Sequence, residues 1–356
     1  MAPVSEPGSA PENSRSRDER PGEDERPPVI FLMGPTASGK TDLALRLRNY
    51  LPVDLISVDS SQVYRGMDIG TAKPTAQELA QAPHHLLDIR DPAEPYSVGE
   101  FLADARPVIE ASSAAGRIPL LVGGTMLYFK ALREGLADLP AADARVRERI
   151  EALAHRHGWA YVHARLQVVD PLSAEKIHPN HSRRIARALE IHELRGVPMS
   201  ELMARQVRGD CSHPPLTRDY RVIQLGLMPG DRSHLHRVIE QRFERMLALG
   251  FEAEVKRLYQ RGDLHAELPA IRSVGYRQMW AYLSGECGHE QMKATAIAAT
   301  RQLAKRQFTW LRGWPGLNCL DAEAKALTDA NGQRQQNLTN ALKILEKAAI
   351  YFGAGE

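Results

Sequence analysis

The residues best suited to chemistry begin with the segment GPTASGKT at 34–41, between an apolar run at 29–33 and a helical pattern at 42–51. A strand, a G-x-x-x-x-G-K-T turn and a helix in this order are typical of a phosphate-binding loop. The glycines allow a tight turn whose N–H groups converge on phosphate, and the helix adds its positive dipole end. A chance glycine turn is disfavoured by the flanking elements. The candidate phosphate-binding residues are Gly34, Thr36, Ala37, Ser38, Gly39, Lys40 and Thr41, of which Thr41 could also hold Mg²⁺.

Two further polar residues follow apolar segments that we predict to be strands. Asp59 ends the segment at 53–58, and Thr125 follows Gly123-Gly124 after the segment at 118–122. Asp59 suits either a Mg²⁺-water ligand or a base that accepts a proton from a nucleophile, and a turn cap is the ordinary alternative. Thr125 suits a donor to a phosphate oxygen, although a helix N-cap is as ordinary a use.

A long helix is predicted at 231–249, ended by Gly250, and an arginine lies within its apolar stripe. Arg242 needs an anionic partner there, because an unpaired buried guanidinium is costly. The partner is either a protein carboxylate or a bound phosphate. The stripe consists of Leu235, Val238, Ile239, Met246 and Leu249.

Basic residues are concentrated in two segments of a chain whose net charge is only +2. Residues 145–208 and 270–314 both carry more Lys and Arg than Asp and Glu, which suits a polyanionic partner, although plain solvated helix faces explain the excess equally well. Arg183 and Arg187 lie one helical turn apart and could span neighbouring phosphates. The segment RSVGYRQ at 272–278 suits unpaired nucleotides, with stacking on Tyr276 and edge contact from Gln278.

Strands that alternate with helices predict an α/β fold: a P-loop core with a parallel sheet, whose ligands bind at the carboxyl ends of the strands. Residues 1–28 are acidic and rich in Pro and Ser, which predicts a disordered tail. The core would comprise 29–138 and 212–320, interrupted by a small all-helical insertion at 139–211 that binds nucleic acid. A C-terminal tail at 321–356 would contain a possible helix at 337–351.

Composition indicates the cellular compartment and the oligomeric state to be expected. The 356 residues contain three widely spaced cysteines, which excludes a C-x-x-C pair and fits a reducing compartment. No apolar run reaches the length of a membrane span, and the N-terminus lacks the apolar core of a signal peptide. We therefore expect a cytoplasmic protein, and the absence of heptads or exposed apolar stripes favours a monomer. The pair His84-His85 is expected to be structural, because adjacent strand residues face opposite ways.

The sequence resembles the tRNA dimethylallyltransferases, also called tRNA isopentenyltransferases. The resemblance rests on seven segments in the family's order, spread over nearly 280 residues. They are GPTASGKT at 34–41, DSSQVYRGMDIGTAKP at 59–74, HHLLDI at 84–89, GGTMLY at 123–128, RRIARALE at 183–190, SVGYRQMW at 273–280 and AKRQFTWLR at 304–312.

The resemblance implies transfer of a prenyl group from dimethylallyl diphosphate to N6 of the adenosine just 3′ of the anticodon, with Mg²⁺. The loop at 34–41 and Arg242 would then hold the diphosphate, Asp59 would take or orient the N6 proton, and Thr125 would hold the bridging oxygen. The target base would be flipped out of the anticodon loop. The implied contacts with the tRNA anticodon stem-loop are Asp59, Ser60, Ser61, Gln62, Thr125, Arg147, Arg183, Arg184, Ile185, Ala186, Arg187, Arg272, Ser273, Val274, Gly275, Tyr276 and Arg277.

Three residues depart from the family pattern. Met126 stands where glycine is usual and would narrow the crevice near Thr125, and His181 and Arg183 replace Asp and Gln. The alternative functions are prenylation of a free adenine nucleotide, phosphoryl transfer by a small-molecule kinase, and tRNA binding without catalysis. The basic segments disfavour the first, and the intact loop with Asp59 disfavours the last.

Overall fold

The computed structural model describes residues 24–228, 230, 232–320 and 330–348. Most of the predicted disordered tail, and residues 321–329 and 349–356 of the predicted C-terminal tail, therefore lie outside the described residues. The predicted boundary of the N-terminal tail is one residue too late, because Pro28 already pairs with Arg221 in the sheet. In the described chain, no helix combines the length and the apolarity that a bilayer crossing needs.

The centre of the described chain is a six-stranded sheet in which every neighbouring pair is parallel, in the order β3-β2-β4-β1-β5-β6. The three predicted strands that lead into the candidate chemical residues are β1, β2 and β4, which are adjacent in the sheet. This α/β architecture confirms the predicted fold class. The strands are β1 (Pro28–Met33), β2 (Val53–Val58), β3 (His84–His85), β4 (Ile118–Gly123), β5 (Arg221–Leu227) and β6 (Asn318–Leu320).

The central strands β1 and β4 are apolar and almost entirely buried, as parallel strands between two layers of helices usually are. Alternate residues of β1 enter different cores: Phe31 packs into one hydrophobic cluster and Leu32 into the other. The helices are α1 (Lys40–Arg48), α2 (Ala76–Gln81), α3 (Val98–Ala114), α4 (Met126–Glu134), α5 (Ala144–His157), α6 (Trp159–Val169), α7 (Pro171–Lys176), α8 (Ser182–Arg195), α9 (Met199–Val207), α10 (Arg232–Ala248), α11 (Phe251–Tyr259), α12 (Tyr276–Leu283), α13 (His289–Arg312) and α14 (Ala330–Lys347).

Helices α5–α9 occupy the segment that we predicted to be an all-helical insertion. They share a hydrophobic cluster of their own, which contains Val146, Ile150, Val162, Leu166 and Ile185 among others. The chain enters and leaves this segment at one place, where Leu136 and His213 form a β-bridge and Asp138 accepts hydrogen bonds from Ser212. Helix α5 begins at an Asp143 cap and α8 ends at Gly196 in the left-handed conformation.

The C-terminal segment contains the helix that the sequence suggested, although α14 begins seven residues earlier than predicted and is described only to Lys347. Its buried side chains Leu338, Ala341 and Leu345 pack into the same cluster as Leu43 and Leu47 of α1. The helix that follows the phosphate-binding loop is thus supported from behind by α14.

Candidate active site

The carboxyl ends of β1, β2 and β4 meet at a cavity of about 190 Å³. The loop after β1, Asp59 after β2 and the Gly123-Gly124 turn after β4 all line it, as the strand-end argument predicted. Helices α10 and α13 and the segment before α12 close the other sides. The lining residues are Thr36, Ala37, Lys40, Thr41, Asp59, Ser61, Gln62, Gly70, Thr71, Ala72, Val122, Gly123, Gly124, Ile239, Arg242, Phe243, Met246, Phe251, Ser273, Val274, Gly275, Thr300, Leu303 and Gln307.

The loop at 34–41 presents only part of its length to the cavity. Thr36, Ala37, Lys40 and Thr41 line it, whereas the other predicted phosphate-binding residues Gly34, Ser38 and Gly39 do not. Lys40 and Thr41 are the first two residues of α1, so this helix begins two residues earlier than predicted and directs its N-terminus to the site. Lys40 Nζ donates a hydrogen bond to the Pro35 carbonyl at 2.7 Å, which keeps the side chain folded over the loop.

Two cations share this cavity, Lys40 of α1 and Arg242 of α10. Burial and the like charge of Arg242 lower the pKa of Lys40 to about 7, and Asp59 only partly opposes them. Burial likewise lowers the pKa of Arg242, against the attraction of Asp59. Within the described chain no carboxylate forms an ion pair with Arg242, which favours the bound anion among the two partners considered for it. The two cations outnumber the one carboxylate in the cavity, so the site favours binding of an anion.

Asp59 combines a fixed oxygen with an open one. Its Oδ1 accepts hydrogen bonds from the backbone N–H groups of Ser61 at 2.8 Å and Gln62 at 3.3 Å. These contacts are the turn cap that we considered as the ordinary alternative. Since no hydrogen bond from the described residues reaches Oδ2, this oxygen is available as an acceptor at the cavity.

Thr125 is bound to the turn that carries Asp59. Its Oγ1 accepts the backbone N–H of Ser60 at 3.1 Å. Thr125 is the N-cap residue of α4, as the ordinary alternative has it, but its side chain makes no capping hydrogen bond. Thr125 is not among the residues that line the cavity. Its hydroxyl donates no hydrogen bond to the described residues and can still donate one to a ligand oxygen.

Gln307 of α13 is a site residue that we did not predict, although it lies within a segment that carried the resemblance. Its Oε1 accepts the Thr36 N–H at 2.8 Å, and its Nε2 donates to the Gly124 carbonyl at 2.9 Å. One buried carboxamide therefore fixes the phosphate-binding loop against the turn that leads to Thr125. Gly124 is required here, because a Cβ atom would approach Gln307 Nε2 to 2.3 Å.

The predicted contact Gln62 has its carboxamide engaged within the protein. It accepts from the Ser57 hydroxyl and donates to the carbonyls of Thr71 and Ala72. Ser61 lies next to it and forms a 3.1 Å hydroxyl contact with Ser273. These bonds join the segment after β2 to the segment before α12, and both segments line the cavity. Gln62 thus shapes the wall, with its side-chain oxygen and nitrogen already in use.

The expectation that Tyr276 stacks on a nucleotide base is wrong, because its ring is fully buried. The ring packs edge-on against Phe251, with centroids 5.1 Å apart. Gln278, expected to contact a base edge, caps α12 by accepting the Gly275 N–H. The flanking arginines differ: Arg277 is exposed, and Arg272 is half-buried with Glu267 at 3.8 Å.

The predicted nucleic-acid contacts of the helical segment separate into two groups. Arg147 and Arg187 both bind Glu190, whose side chain is fully buried, at 3.0 and 2.7 Å. Ile185 is buried in the core of the segment, so its side chain cannot contact a ligand, and Ala186 is half-buried. Arg183 and Arg184, at the start of α8, are exposed and form no ion pair within the described chain.

Two further predictions concern residues outside the cavity wall. Met126 is buried in the core as the first residue of α4 and does not line the cavity, so the narrowing expected from it is not observed. His84 Nδ1 donates to the Ala82 carbonyl while His85 is more exposed, in keeping with a structural pair. Over the described residues, no cluster of three His, Cys, Asp or Glu side chains could hold a metal.

Together, the parallel sheet, the P-loop and a cavity with two cations and one carboxylate define an α/β protein that binds a phosphorylated ligand. Residues 62–314 match the family of IPP transferases, and residues 27–94 match the isopentenyl transferases. The chain belongs to the IPP transferase family and is a prenyltransferase.

Solved structures of such enzymes resemble this chain. The tRNA isopentenylpyrophosphate transferase of Bacillus halodurans is 36% identical with a TM-score of 0.62, and the match covers 90% of this chain and 97% of that one. A corresponding transferase of Staphylococcus epidermidis is 29% identical with a TM-score of 0.61, covering 90% and 100%. A eukaryotic dimethylallyltransferase that acts on tRNA is 26% identical with a TM-score of 0.68, covering 86% and 77%.

Proposed function

We propose that this enzyme transfers a dimethylallyl group from dimethylallyl diphosphate to N6 of the adenosine 3′-adjacent to the anticodon of tRNA, with release of diphosphate. The observation that carries the proposal is the composition of the cavity. Lys40 and Arg242, which form no ion pair with the described residues, lie in the same cavity as an apolar wall and the open oxygen of Asp59. A diphosphate would pair with the two cations, and its short apolar tail would pack against the apolar wall. An amine nucleophile would give its proton to the open oxygen of Asp59.

The loop at 34–41, Lys40 and Arg242 bind the diphosphate. The allylic C–O bond ionises readily, so the enzyme chiefly needs to stabilise the negative charge that grows on the leaving oxygens. Diphosphate binding restores the full charge of Lys40, because a nearby anion favours its protonated form. In this account the loop serves a leaving group, whereas the commonest use of the motif is to bind a nucleotide.

The prenyl chain lies against the apolar side of the cavity. Ile239, Phe243 and Met246 of α10 contribute to this side, and Leu303 of α13 and Phe251 complete it. Apolar walls exclude water from the allylic cation, so capture by the amine is favoured over hydrolysis.

Asp59 accepts the proton that leaves N6. The N6 nitrogen forms a bond to the prenyl carbon, the bond from that carbon to the diphosphate oxygen breaks, and the electron pair departs with diphosphate. Oδ1 of Asp59 is held by Ser61 and Gln62, and no hydrogen bond from the described residues reaches Oδ2, which can therefore receive the proton. Thr125, whose Oγ1 accepts the Ser60 N–H, donates its hydroxyl hydrogen to the bridging oxygen.

Mg²⁺ is part of the proposal. This ion usually retains several waters and binds substrate phosphates together with one or two protein oxygens. Thr41, which lines the cavity, offers a hydroxyl oxygen of the right type and would hold the ion together with the diphosphate. Once bound, the ion would neutralise phosphate charge. The absence of a larger carboxylate cluster in the described chain fits an ion that arrives with its substrate.

The tRNA approaches from the side of the segments 59–62 and 272–277, and the exposed arginines at the start of α8 bind its phosphates. The target base leaves the anticodon loop to reach Asp59, at a cost of a few kcal/mol. We place the helical segment at 139–211 as the tRNA-binding insertion of a monomeric enzyme. A cytoplasmic location completes the proposal, since Cys211, Cys287 and Cys319 are all free thiols.

The proposal is tested with labelled dimethylallyl diphosphate and three acceptor conditions: unmodified tRNA, AMP and no acceptor. We expect label to appear in tRNA alone. Label in AMP but not in tRNA would replace the proposal with prenylation of a free nucleotide. A parallel reaction with ATP tests the remaining alternative, since ATP-dependent phosphorylation of a small molecule would indicate a kinase.

A further inference from the structure

A buried carboxylate stands behind the cavity wall and has no part in the mechanism described above. Glu254 of α11 is only 1% exposed. Its Oε2 accepts the backbone N–H groups of Asp68 and Ile69 at 2.9 and 2.8 Å, and its Oε1 accepts that of Gly70 at 3.1 Å. The Tyr276 hydroxyl donates to Oε1 at 2.5 Å. Four donors therefore converge on one carboxylate.

These four donors come from two segments that border the cavity. Gly70 lines the cavity together with Thr71 and Ala72, and Tyr276 directly follows the lining residues 273–275. A hydroxyl contact between Ser61 and Ser273 separately joins the second segment to the turn after β2. Glu254 thus joins the two segments from behind the cavity wall.

The side chains around this carboxylate pack the two segments closely against each other. A Cβ atom on Gly70 would lie 2.2 Å from the Phe251 ring and 2.6 Å from the Tyr276 ring. Burial and the neighbouring charge of Glu254 raise the pKa of Tyr276, so its hydroxyl remains a donor throughout the physiological range. The carboxylate, the two rings and the glycine form one close-packed unit.

We propose that Glu254 is a positioning residue for tRNA: it fixes residues 68–72 and 273–276 at the separation that the flipped adenosine requires. The inference rests on the proposed function and deepens it by assigning Glu254 to the use of tRNA and not to the binding of diphosphate. The diphosphate contacts of α1 and α10 do not involve Glu254, so its loss affects the use of tRNA and spares diphosphate binding.

The test compares Glu254→Gln with Glu252→Gln, a matched change on the same helix at a half-buried glutamate that has no ion pair within the described chain. An amide in place of the carboxylate directs an NH₂ group at N–H donors, so at least one backbone donor loses its acceptor. We expect kcat/KM for tRNA to fall by about tenfold or more in E254Q, with the KM for tRNA raised. The Kd of E254Q for inorganic diphosphate, measured by calorimetry, stays at the wild-type value. E252Q matches the wild type in its kinetics with tRNA and in its Kd for diphosphate.

Two results would overturn the inference: unchanged use of tRNA by E254Q, or a loss of diphosphate affinity as large as the loss for tRNA. If E254Q does not fold, Tyr276→Phe decides, because it removes one donor and leaves the three backbone bonds. A rise of a few fold in the KM for tRNA with unchanged diphosphate binding supports the inference, and wild-type kinetics contradict it.

Hydrogen exchange separates this inference from the proposed function. The amides of residues 68–70 should exchange faster in E254Q than in the wild type, whatever reaction the enzyme catalyses, and unchanged exchange sinks the positioning role. A wild-type enzyme that transfers no prenyl group to tRNA would refute the proposed function alone.

Discussion

At the scale of single residues, the site depends on side chains whose pKa differs from that of the isolated residue. Lys40 is the clearest case, since burial and Arg242 lower its pKa to about 7 in the absence of a ligand. An anion in the cavity reverses both effects, because it favours the charged form. Ligand binding and protonation of Lys40 are therefore coupled.

We expect the protein to take up nearly one proton at Lys40 when it binds diphosphate at pH 8, since the free side chain is mostly neutral at that pH. The diphosphate affinity contributed by Lys40 is full below pH 7 and weakens as the pH rises above 7. Calorimetry in two buffers of different ionisation enthalpy measures the uptake. In Lys40→Met this proton uptake should be absent, so that only protons bound or released by the diphosphate itself are detected. Equal proton uptake by the variant and the wild type would exclude Lys40 as its source.

Gln307 couples the two halves of the site through a single carboxamide. In Gln307→Glu, an oxygen replaces the Nε2 donor and faces the Gly124 carbonyl, so a buried acceptor loses its donor. An unsatisfied buried group of this kind costs about 1–3 kcal/mol, which corresponds to a loss in kcat/KM of about fivefold to 150-fold. Steady-state kinetics with dimethylallyl diphosphate check this.

The matched control for Gln307 is Gln302→Glu, at an exposed position of the same helix. It introduces the same charge on α13 and should leave kcat/KM close to the wild-type value. Equal losses in both variants would mean that added charge on α13, and not the contacts to Thr36 and Gly124, accounts for the effect.

At the scale of elements, Glu190 of α8 joins this helix to the start of α5. This buried carboxylate binds Arg147, Arg187 and the backbone N–H of Asp143. Burial raises the pKa of Glu190, but the hydrogen bonds from Arg187, Asp143 and Arg147 outweigh it and lower the pKa overall. Two predicted tRNA contacts thus also hold the helical segment together.

We expect Glu190→Gln to reduce the free energy of unfolding by on the order of 2 kcal/mol at pH 7, because two arginines lose their carboxylate. Because folding lowers the pKa of Glu190, its carboxylate stabilises the fold at any pH above the pKa that it has in the unfolded chain. This contribution is lost as the pH falls through the lower pKa of the folded state. The difference between variant and wild type should therefore shrink under acid conditions. Urea denaturation at several pH values measures it.

Glu193→Gln is the control for Glu190, since Glu193 pairs with Arg149 at the surface, where such pairs contribute little. A loss of stability in E190Q no larger than that in E193Q would show that Glu190 does not join the two helices. A difference between E190Q and wild type that does not change with pH would contradict the coupling to its ionisation.

At the scale of the whole molecule, the sequence predicted what local patterns determine. The phosphate-binding loop, the strands that lead into Asp59 and Thr125, and the helices of 139–211 all have short-range signals. Gln307 has no such signal, because its partner Thr36 is 271 residues away. Glu254 likewise has no local signal, because its three backbone partners lie 184 to 186 residues away in the sequence.

Tyr276 shows how a local pattern can mislead. An aromatic ring between two arginines suggested an exposed stacking surface, yet the ring fills space beneath Gly70 and Phe251 that only the tertiary fold creates. The resemblance to known transferases identified the right segment. It did not distinguish residues that contact a ligand from residues that support those contacts, and the same confusion affected Ile185.

The two basic segments of the chain should act together on one tRNA through its phosphates. Each phosphate contact contributes a slope of slightly less than one to the dependence of log binding constant on log salt concentration. Arg184→Ala should weaken tRNA binding and reduce this slope by about one unit. Arg195→Ala, an exposed arginine at the other end of α8, is the matched control, and an equal effect of both would deny the start of α8 a specific role.

The central claim is that the enzyme attaches a prenyl group to one tRNA adenosine with Asp59 as the proton acceptor. The direct measurement is mass spectrometry of nucleosides and fragments from unmodified tRNA after incubation with dimethylallyl diphosphate and either the wild type or Asp59→Ala. We predict one added C₅H₈ unit on the adenosine 3′-adjacent to the anticodon with the wild type. With D59A we predict none, although this variant still folds and binds tRNA. Modification at another position, or modification by D59A at the wild-type rate, would contradict the account.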